Sequence, residues 1–289
     1  MTTTSSPSVV VLGATGHLGR LVVEQLLERG VAPEAVTATG RAVERLDDLA
    51  ARGVRVVAVD RGDADAVRAV LEGADRVLLV SGTEPDRVAQ HRTVIDAAAA
   101  AGVGLLVYTS GPRADTSSML LMADHRATEE LLAASPVPSS VLRNAWYVEN
   151  YTAQAETYRA HGMVGAAGDG RVSVALRREY AEAAAVVLTT DGHAGHVYEL
   201  GGEAVTLPEI ADAVSAATGD PVTYSDVPVE QLREILSGAG VPAPMDEVFA
   251  DVDRGIRAGE LRVPTTDLES LLGRPATALR PAVAEALAA

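Results

Sequence analysis

Along the first half of the chain, short unbroken runs of aliphatic residues alternate with longer stretches whose apolar positions recur at helical spacing. Ser8–Leu12 carries Val9, Val10, Val11 and Leu12 in succession, stops at glycine and gives way to an amphipathic stretch over Leu18–Arg29. This predicts strand, tight turn and helix. The alternation repeats: Val36–Thr39, Val54–Val59, Val77–Val80 and Leu105–Thr109 are short aliphatic or β-branched runs, and Ala42–Ala51, Ala64–Leu71 and Val88–Ala101 predict helices between them. Strands that are apolar along their whole length need cover on both faces, and strands separated by helices are joined by crossovers. The pattern therefore predicts an α/β fold with a doubly wound parallel sheet of Rossmann type.

A helix from about Ala123 to Ala134 followed by Ser140–Arg143 predicts a sixth strand, and Val197–Leu200 a later one, so that segments near 178–200 complete the sheet. After Trp146 the pattern changes, with more Gly and Pro, shorter apolar runs and helices that carry their own start signals. Thr206-Leu-Pro-Glu209 and Thr266-Asp-Leu-Glu269 both have capping-box spacing. The expected organisation is a disordered tail over 1–7, a dinucleotide-binding domain over 8–152 and a second, smaller α/β substrate-binding domain over 153–289.

Composition narrows the chemistry. The net charge of -16 is spread without a basic block, which disfavours nucleic acid as a partner. Cysteine is absent and His17, His91, His125, His161, His193 and His196 form no ligand cluster, so no metal is expected. The tail shows no signal-peptide pattern and no apolar run approaches the ~20 residues of a bilayer span; a cytoplasmic protein without a membrane span is expected. All 24 basic residues are Arg. Schiff-base chemistry and any mechanism that needs a lysine ammonium are thereby excluded.

The sharpest motif is Gly13-Ala-Thr-Gly-His-Leu-Gly19, set between the first strand and the first helix. In that context Gly13 permits the turn, Gly16 the approach of a pyrophosphate and Gly19 the close packing of helix on strand, with Thr15, His17 and Leu18 completing the loop. The acidic residue that holds a ribose 2′-hydroxyl in NAD sites is missing; Arg41, 22 positions after Gly19, is placed to pair with a 2′-phosphate, so NADPH is the expected cofactor. Arg41 as a solvated helix-start residue is the competing reading. Asp60, after the third strand, either meets an adenine edge or caps the next helix. Ser81 and Ser110, after the fourth and fifth strands, are expected to line the nicotinamide end.

Many short-chain reductases protonate an alkoxide with Tyr-x-x-x-Lys, and no such pair exists in a chain without lysine. His125 stands about where that lysine would, as a candidate acid or a solvated helix residue. A quinone takes hydride to give a hydroquinone anion, a much weaker base than an alkoxide, so positioning and polarisation suffice for it.

Together with Gln90-His-Arg, Ala101-Gly-Val, Tyr108-Thr-Ser110, Ala114-Asp-Thr-Ser117, Leu142-Arg-Asn144-Ala-Trp146-Tyr-Val-Glu-Asn-Tyr151, Gly165-Ala-Ala-Gly-Asp-Gly170 and Val197-Tyr-Glu-Leu200, these residues resemble the NmrA-like atypical short-chain dehydrogenases, and among them the bacterial type 2 NAD(P)H:quinone oxidoreductases. The resemblance implies an NADPH site at the glycine loop and Arg41, with the Asn144–Tyr151 segment at the active-site cleft. Asn144 offers an amide for the nicotinamide carboxamide or a quinone oxygen, and Trp146 and Tyr147 offer flat surfaces; core packing competes for Trp146. Gly111-Pro-Arg113 and Met119–Met122 depart from the reductase pattern near the expected cleft. The implied partner is a small quinone or an aromatic polyketide-like substrate, and a homodimer is left open. Two alternatives stand beside the quinone reductase: a non-catalytic redox-sensing dinucleotide-binding protein and a tailoring ketoreductase acting on an aromatic polyketide.

Overall fold

A computed structural model of the chain describes residues 7–289; the first six residues of the expected tail lie outside the described residues. The chain divides into two compact units. The first holds the described residues up to Ser110, Asp124–Arg143 and Arg178–Tyr198; the second holds Gly111–Ala123, Asn144–Arg177 and Glu199–Ala289. A single cut at 152 does not follow this division, because residues remote in sequence claim the early segments. Ser117 and Ser118 are hydrogen-bonded to Glu260, and Trp146 is registered against Val174.

The first unit is built on β1 (Val9–Leu12), β2 (Val36–Gly40), β3 (Arg55–Ala58), β4 (Arg76–Leu79), β5 (Leu105–Ser110) and β6 (Ser139–Asn144). They form one sheet in the order β6-β5-β4-β1-β2-β3, with the Val197–Leu200 strand beyond β6. Val10 is registered with Thr37 on one side and Val77 on the other, and all five pairings from β3 to β6 are parallel. β2 and β3 are laid out to one side of β1, and β4, β5 and β6 to the other. The order reverses between β1 and β4, and the carboxyl end of such a switch point is where open parallel sheets bind ligands.

Both faces of the sheet are buried, as the unbroken aliphatic runs require. Val10, Leu12, Val77, Leu79, Leu106 and Tyr108 share one core with residues of α3 (Ala64–Leu71) and α4 (Arg87–Ala101), which follow α1 (His17–Glu28) and α2 (Asp47–Ala51). Val9, Val11, Leu78 and Val107 alternate with them and are equally buried, as are Leu18, Val22, Val23 and Leu26 of α1. Each buried aliphatic side chain contributes roughly 1.5–3 kcal/mol. The helix expected over Ala42–Ala51 is a 3₁₀ turn over Val43–Leu46 followed by the short α2. Its apolar residues Val43, Leu46 and Leu49 are spaced by three, which fits the three-residue turn of a 3₁₀ helix rather than a 3.6-residue one.

The second unit has two small sheets. Trp146–Tyr147 runs parallel to Val172–Ala175, which pairs antiparallel with Ala204–Val205, and Met163–Gly165 pairs parallel with Tyr224–Asp226. Its core joins Val174, Leu176, Ile210, Val214, Ile256 and Val283. The two capping-box sequences diverge here. Thr206 is extended (ψ 161°) and exchanges both bonds with Glu209. Thr266 is instead already helical, preceded by Thr265 at ψ -14°, and the helix has no side-chain cap. A hydroxyl reaches the N3 amide only from an extended residue, so the second box does not form. Thr206→Ala is expected to lower stability by about 1 kcal/mol, whereas Thr266→Ala stays within about 0.5 kcal/mol; urea midpoints of the two variants check the contrast.

Candidate functional site

The glycine loop joins β1 to α1. Gly13 has φ +100°, a conformation that disfavours side chains. Its N–H and that of Ala14 donate to the Thr39 carbonyl at 3.2 and 2.8 Å, tying the loop to β2. A side-chain carbon at Gly19 would lie 2.3 Å from the Gly13 carbonyl oxygen, so only glycine lets α1 pack this close. Gly16 differs: it is exposed, and the nearest atom to an added carbon is 3.4 Å away. Helix α1 starts at His17 with no side-chain cap and no acidic residue in its first turn. An uncapped, acid-free helix N-terminus beside an exposed glycine fits the pyrophosphate of a dinucleotide. His17 is exposed there, while the Leu18 side chain is buried beneath the helix. Thr15 rests on Gly40, where an added carbon would lie 2.3 Å from its Oγ1. Gly40 was missed in the sequence, although its place just before Arg41 was visible.

At the end of β2, Arg41 Nη2 lies 2.6 Å from Glu84 Oε1 with most of its side chain exposed. Arg61, after β3, donates from Nη1 to the Val80 carbonyl at 2.6 Å and from Nη2 to Glu84 Oε2 at 3.4 Å. Neither Arg61 nor Glu84 was singled out by sequence reasoning, because their loops carry no motif and meet only through the strand order. Asp60 is exposed and accepts from the Gly62 N–H at 2.9 Å; the cap of α3 is Asp63, whose carboxylate accepts from Asp65 and Ala66. Ser81 N–H donates to Thr109 Oγ1 at 2.9 Å, locking the ends of β4 and β5 together.

Ser110 ends β5 and is registered against Arg143 in β6. Its hydroxyl donates to Glu129 Oε1 at 2.6 Å, and Glu129 is held by Arg143 through Nε (3.0 Å) and Nη2 (2.5 Å). Glu129 sits on α5 (Met122–Ala134) one turn after His125. His125 is buried, with Nδ1 2.9 Å from the Tyr108 hydroxyl. Burial first, and Arg87 second, push its pKa down to about 4. His91, wholly buried on the edge of the Tyr108 ring, is pushed down to about 3 by burial and the nearby Arg61. The Thr128 hydroxyl donates to the Asp124 carbonyl, so His91 Nδ1–H donates to Thr128. His125 is therefore a neutral core histidine rather than a solvated one, with no proton to give near neutral pH.

In the second unit, the Asn144 side-chain N–H donates to the Tyr147 hydroxyl at 3.3 Å, and its Oδ1 is buried without a hydrogen-bond partner. A buried acceptor left open costs about 1–3 kcal/mol. The unpartnered Oδ1 is an acceptor, which matches a carboxamide N–H. Tyr147 lies under the Arg177 guanidinium, 4.9 Å from its ring centre, and burial raises its pKa. The Glu149 carboxylate receives the Arg177 backbone N–H. Trp146 is half-buried against the core of this unit. The departing segment 111–123 is anchored by late residues: Glu260 accepts from Ser117 and Ser118, Asp251 accepts from the Leu120 N–H at 2.7 Å, and Met119 packs on Gly255. Burial alone would raise the Glu260 pKa; the hydrogen bonds from Ser117, Ser118 and Arg254 instead hold it at about 2. Among the described residues no helix is long and apolar enough to cross a membrane.

Residues 5–279 match the NmrA-like family. The chain is 40% identical to quinone oxidoreductase 2 of Escherichia coli (strain K12) over 278 residues, covering 95% of this chain and 97% of that one. The fold superposes on the crystal structure of the E. coli NADPH-dependent quinone oxidoreductase complexed with NADPH with a TM-score of 0.92, at 39% identity over 96% of this chain and 99% of that one. It superposes equally on the Citrobacter sp. triphenylmethane reductase complexed with NADP(H), with a TM-score of 0.90, at 34% identity over 97% and 100% of the two chains.

The depressed histidines set a pH dependence of stability. The unfolded chain takes up a proton on His125 below about pH 6.5, while the folded chain refuses it until about pH 4. Stability is thus full above pH 6.5 and falls as pH drops toward 4, by about 2 kcal/mol between pH 7 and 5 from His125 alone. Urea unfolding at both pH values should show a shallower acid loss in His125→Asn than in the wild type, and equal losses would show that His125 does not titrate on unfolding.

Proposed function

We propose that this chain, which belongs to the NmrA-like family, is an NADPH-dependent reductase of quinones and related flat, conjugated aromatic acceptors. The cofactor, when bound, supplies a hydride. The glycine loop and the N-terminus of α1 receive its pyrophosphate, Arg41 its 2′-phosphate, and Asn144 Oδ1 the N–H of its carboxamide. The nearness to a quinone reductase and to a triphenylmethane reductase, each with its NADP(H) complex solved, supports the cofactor and the acceptor class together.

The observation that carries the choice of acceptor is the state of the protons around Ser110. Reduction of an ordinary ketone produces an alkoxide that needs an acid beside it. Here the Ser110 hydroxyl donates its hydrogen bond to the Glu129 carboxyl, which Arg143 also holds, and His125, pushed down by burial, is bonded to Tyr108. Lysine is absent from the chain. Groups of this kind orient and polarise but do not donate. A quinone carbonyl reduced by hydride becomes a phenolate-like anion that takes its proton from water, and a triphenylmethane cation takes hydride with no proton at all. Trp146 offers a planar surface for such a ring. Within this class we favour polycyclic, polyketide-like quinones, because Gly111–Arg113 and Met119–Met122, read from the sequence as departing from the reductase pattern, lie in the segment that Glu260 and Asp251 hold.

Oxidation of NADPH and NADH by the purified protein is followed with benzoquinones, naphthoquinones, a polycyclic anthraquinone, a triphenylmethane dye and simple ketones. Turnover is expected with the conjugated acceptors, with NADPH preferred, and at least about 100-fold slower with ketones, the scale of an absent general acid. Ketone turnover as fast as quinone turnover would overturn the reading, and binding without turnover on any acceptor would favour a redox sensor. Trp146→Ala is expected to lower quinone kcat/KM about ten-fold or more, the loss of about 1.4 kcal/mol of ring contact, with the NADPH Kd nearly unchanged. Unchanged turnover would return Trp146 to a packing role.

A further inference from the structure

At the carboxyl edge of the first unit, two guanidinium groups converge on one carboxylate. Arg41 reaches Glu84 Oε1 at 2.6 Å and Arg61 reaches Glu84 Oε2 at 3.4 Å. The Glu84 side chain folds back over Gly82, where an added carbon would lie 2.0 Å from Glu84 Oε2 and 2.6 Å from Arg61 Nη2. Arg61 is fixed from behind by the Val80 carbonyl, with 14% of its side chain exposed, while 67% of Arg41 is exposed. Two guanidiniums thus share one directly bonded carboxylate, with Asp60 the next anion acting on Arg61, at the end of the strand where dinucleotide folds read the ribose.

A phosphate monoester is a better partner for two guanidiniums than a carboxylate is. It carries close to two negative charges at neutral pH and three acceptor oxygens that match the planar forks. The Arg41 end of the Arg41–Glu84 pair is largely exposed while Glu84 is mostly covered, so the pair contributes modestly and Arg41 is free to turn from Glu84 toward a stronger anion. We propose that Glu84 occupies the seat of the cofactor's 2′-phosphate as a displaceable internal carboxylate, and that it sets how strongly NADPH is preferred over NADH. A dianionic 2′-phosphate displaces it and takes Arg41 with Arg61 behind; a ribose hydroxyl does not, and leaves the pair closed. Glu84 thus opposes the binding of phosphate-bearing ligands alone, and keeps two arginines gathered when no such ligand is present. This rests on the reading of Arg41 as the 2′-phosphate partner.

The test is calorimetric titration of the full-length protein with 2′,5′-ADP and with 5′-AMP, which differ only by the 2′-phosphate, in the wild type, Glu84→Gln, Glu84→Ala and Arg41→Ala. The wild type should prefer 2′,5′-ADP, and Arg41→Ala should remove that preference. Both Glu84 variants should bind 2′,5′-ADP about five-fold tighter, the size of one exposed ion pair released, with 5′-AMP affinity within about two-fold of the wild type. Unchanged or weaker 2′,5′-ADP binding in folded Glu84→Gln and Glu84→Ala, judged by their thermal midpoints, would overturn the proposal while leaving the cofactor reading intact. Loss of the preference in the wild type itself, or equal loss of both nucleotides in Arg41→Ala, would overturn the Arg41 reading and this inference with it.

Discussion

The first unit depends on how closely α1 approaches the end of β1. A single added carbon at Gly19 would stand 2.3 Å from the Gly13 carbonyl, and Gly13 itself turns through a positive φ. That contact aims the uncapped N–H groups of the helix past the strand ends and leaves Gly16 on the open side. The two N–H bonds from Gly13 and Ala14 to Thr39 then tie the loop to β2, which carries Gly40 and Arg41 directly after it. The proposed anion site and the proposed ribose-end cation are therefore positioned by one piece of packing rather than by separate devices. A bulkier residue at Gly19 displaces the helix and with it every group that follows.

The polar residues at the ends of β4, β5 and β6 are arranged by a second constraint, the cost of burying charge. Glu129 and Arg143 are both nearly buried, and such a pair persists only when its geometry satisfies both partners. Two bonds from Arg143 and one from Ser110 meet that requirement. Burial acts on the histidines without such a pairing: it outweighs the opposing pull of Asp124 on His125 and, helped by Arg61, lowers His91, so the neutral form wins at both.

The sheet was legible in the sequence because its strands are buried on both faces and announce themselves as unbroken aliphatic runs. The glycine loop was legible because its glycines stand at motif spacing, and two of them are demanded by geometry: Gly13 by its positive φ and Gly19 by close packing. What stayed hidden depends on contacts between distant residues. Arg61, Glu84 and Glu129 belong to loops and a helix with no periodic signal, and they meet functional residues only once the strand order is known. The division of the chain was hidden for the same reason: Glu260 and Asp251 draw 111–123 toward residues more than 120 positions later. The second capping box failed because spacing alone does not fix the ψ of the threonine before the helix. Asn144 was singled out as an amide, yet the burial of its Oδ1 without a partner shows only in the structure.

The protons available around Ser110 decide which acceptors this chain suits. A reductase acting on ketones must keep a proton near its substrate and must spend structure on holding it there, commonly with a lysine that lowers a tyrosine pKa. This chain has no lysine, and the buried positions that resemble that machinery hold a serine whose hydrogen points to Glu129 and a histidine pushed far below neutrality. Tyr108, beside that histidine, is driven up by burial, so it too keeps its proton. The arrangement orients acceptors and donors without exchanging protons. It therefore suits electrophiles whose reduction yields an anion stable enough to wait for water, and conjugated aromatic acceptors are the chemical class with that property.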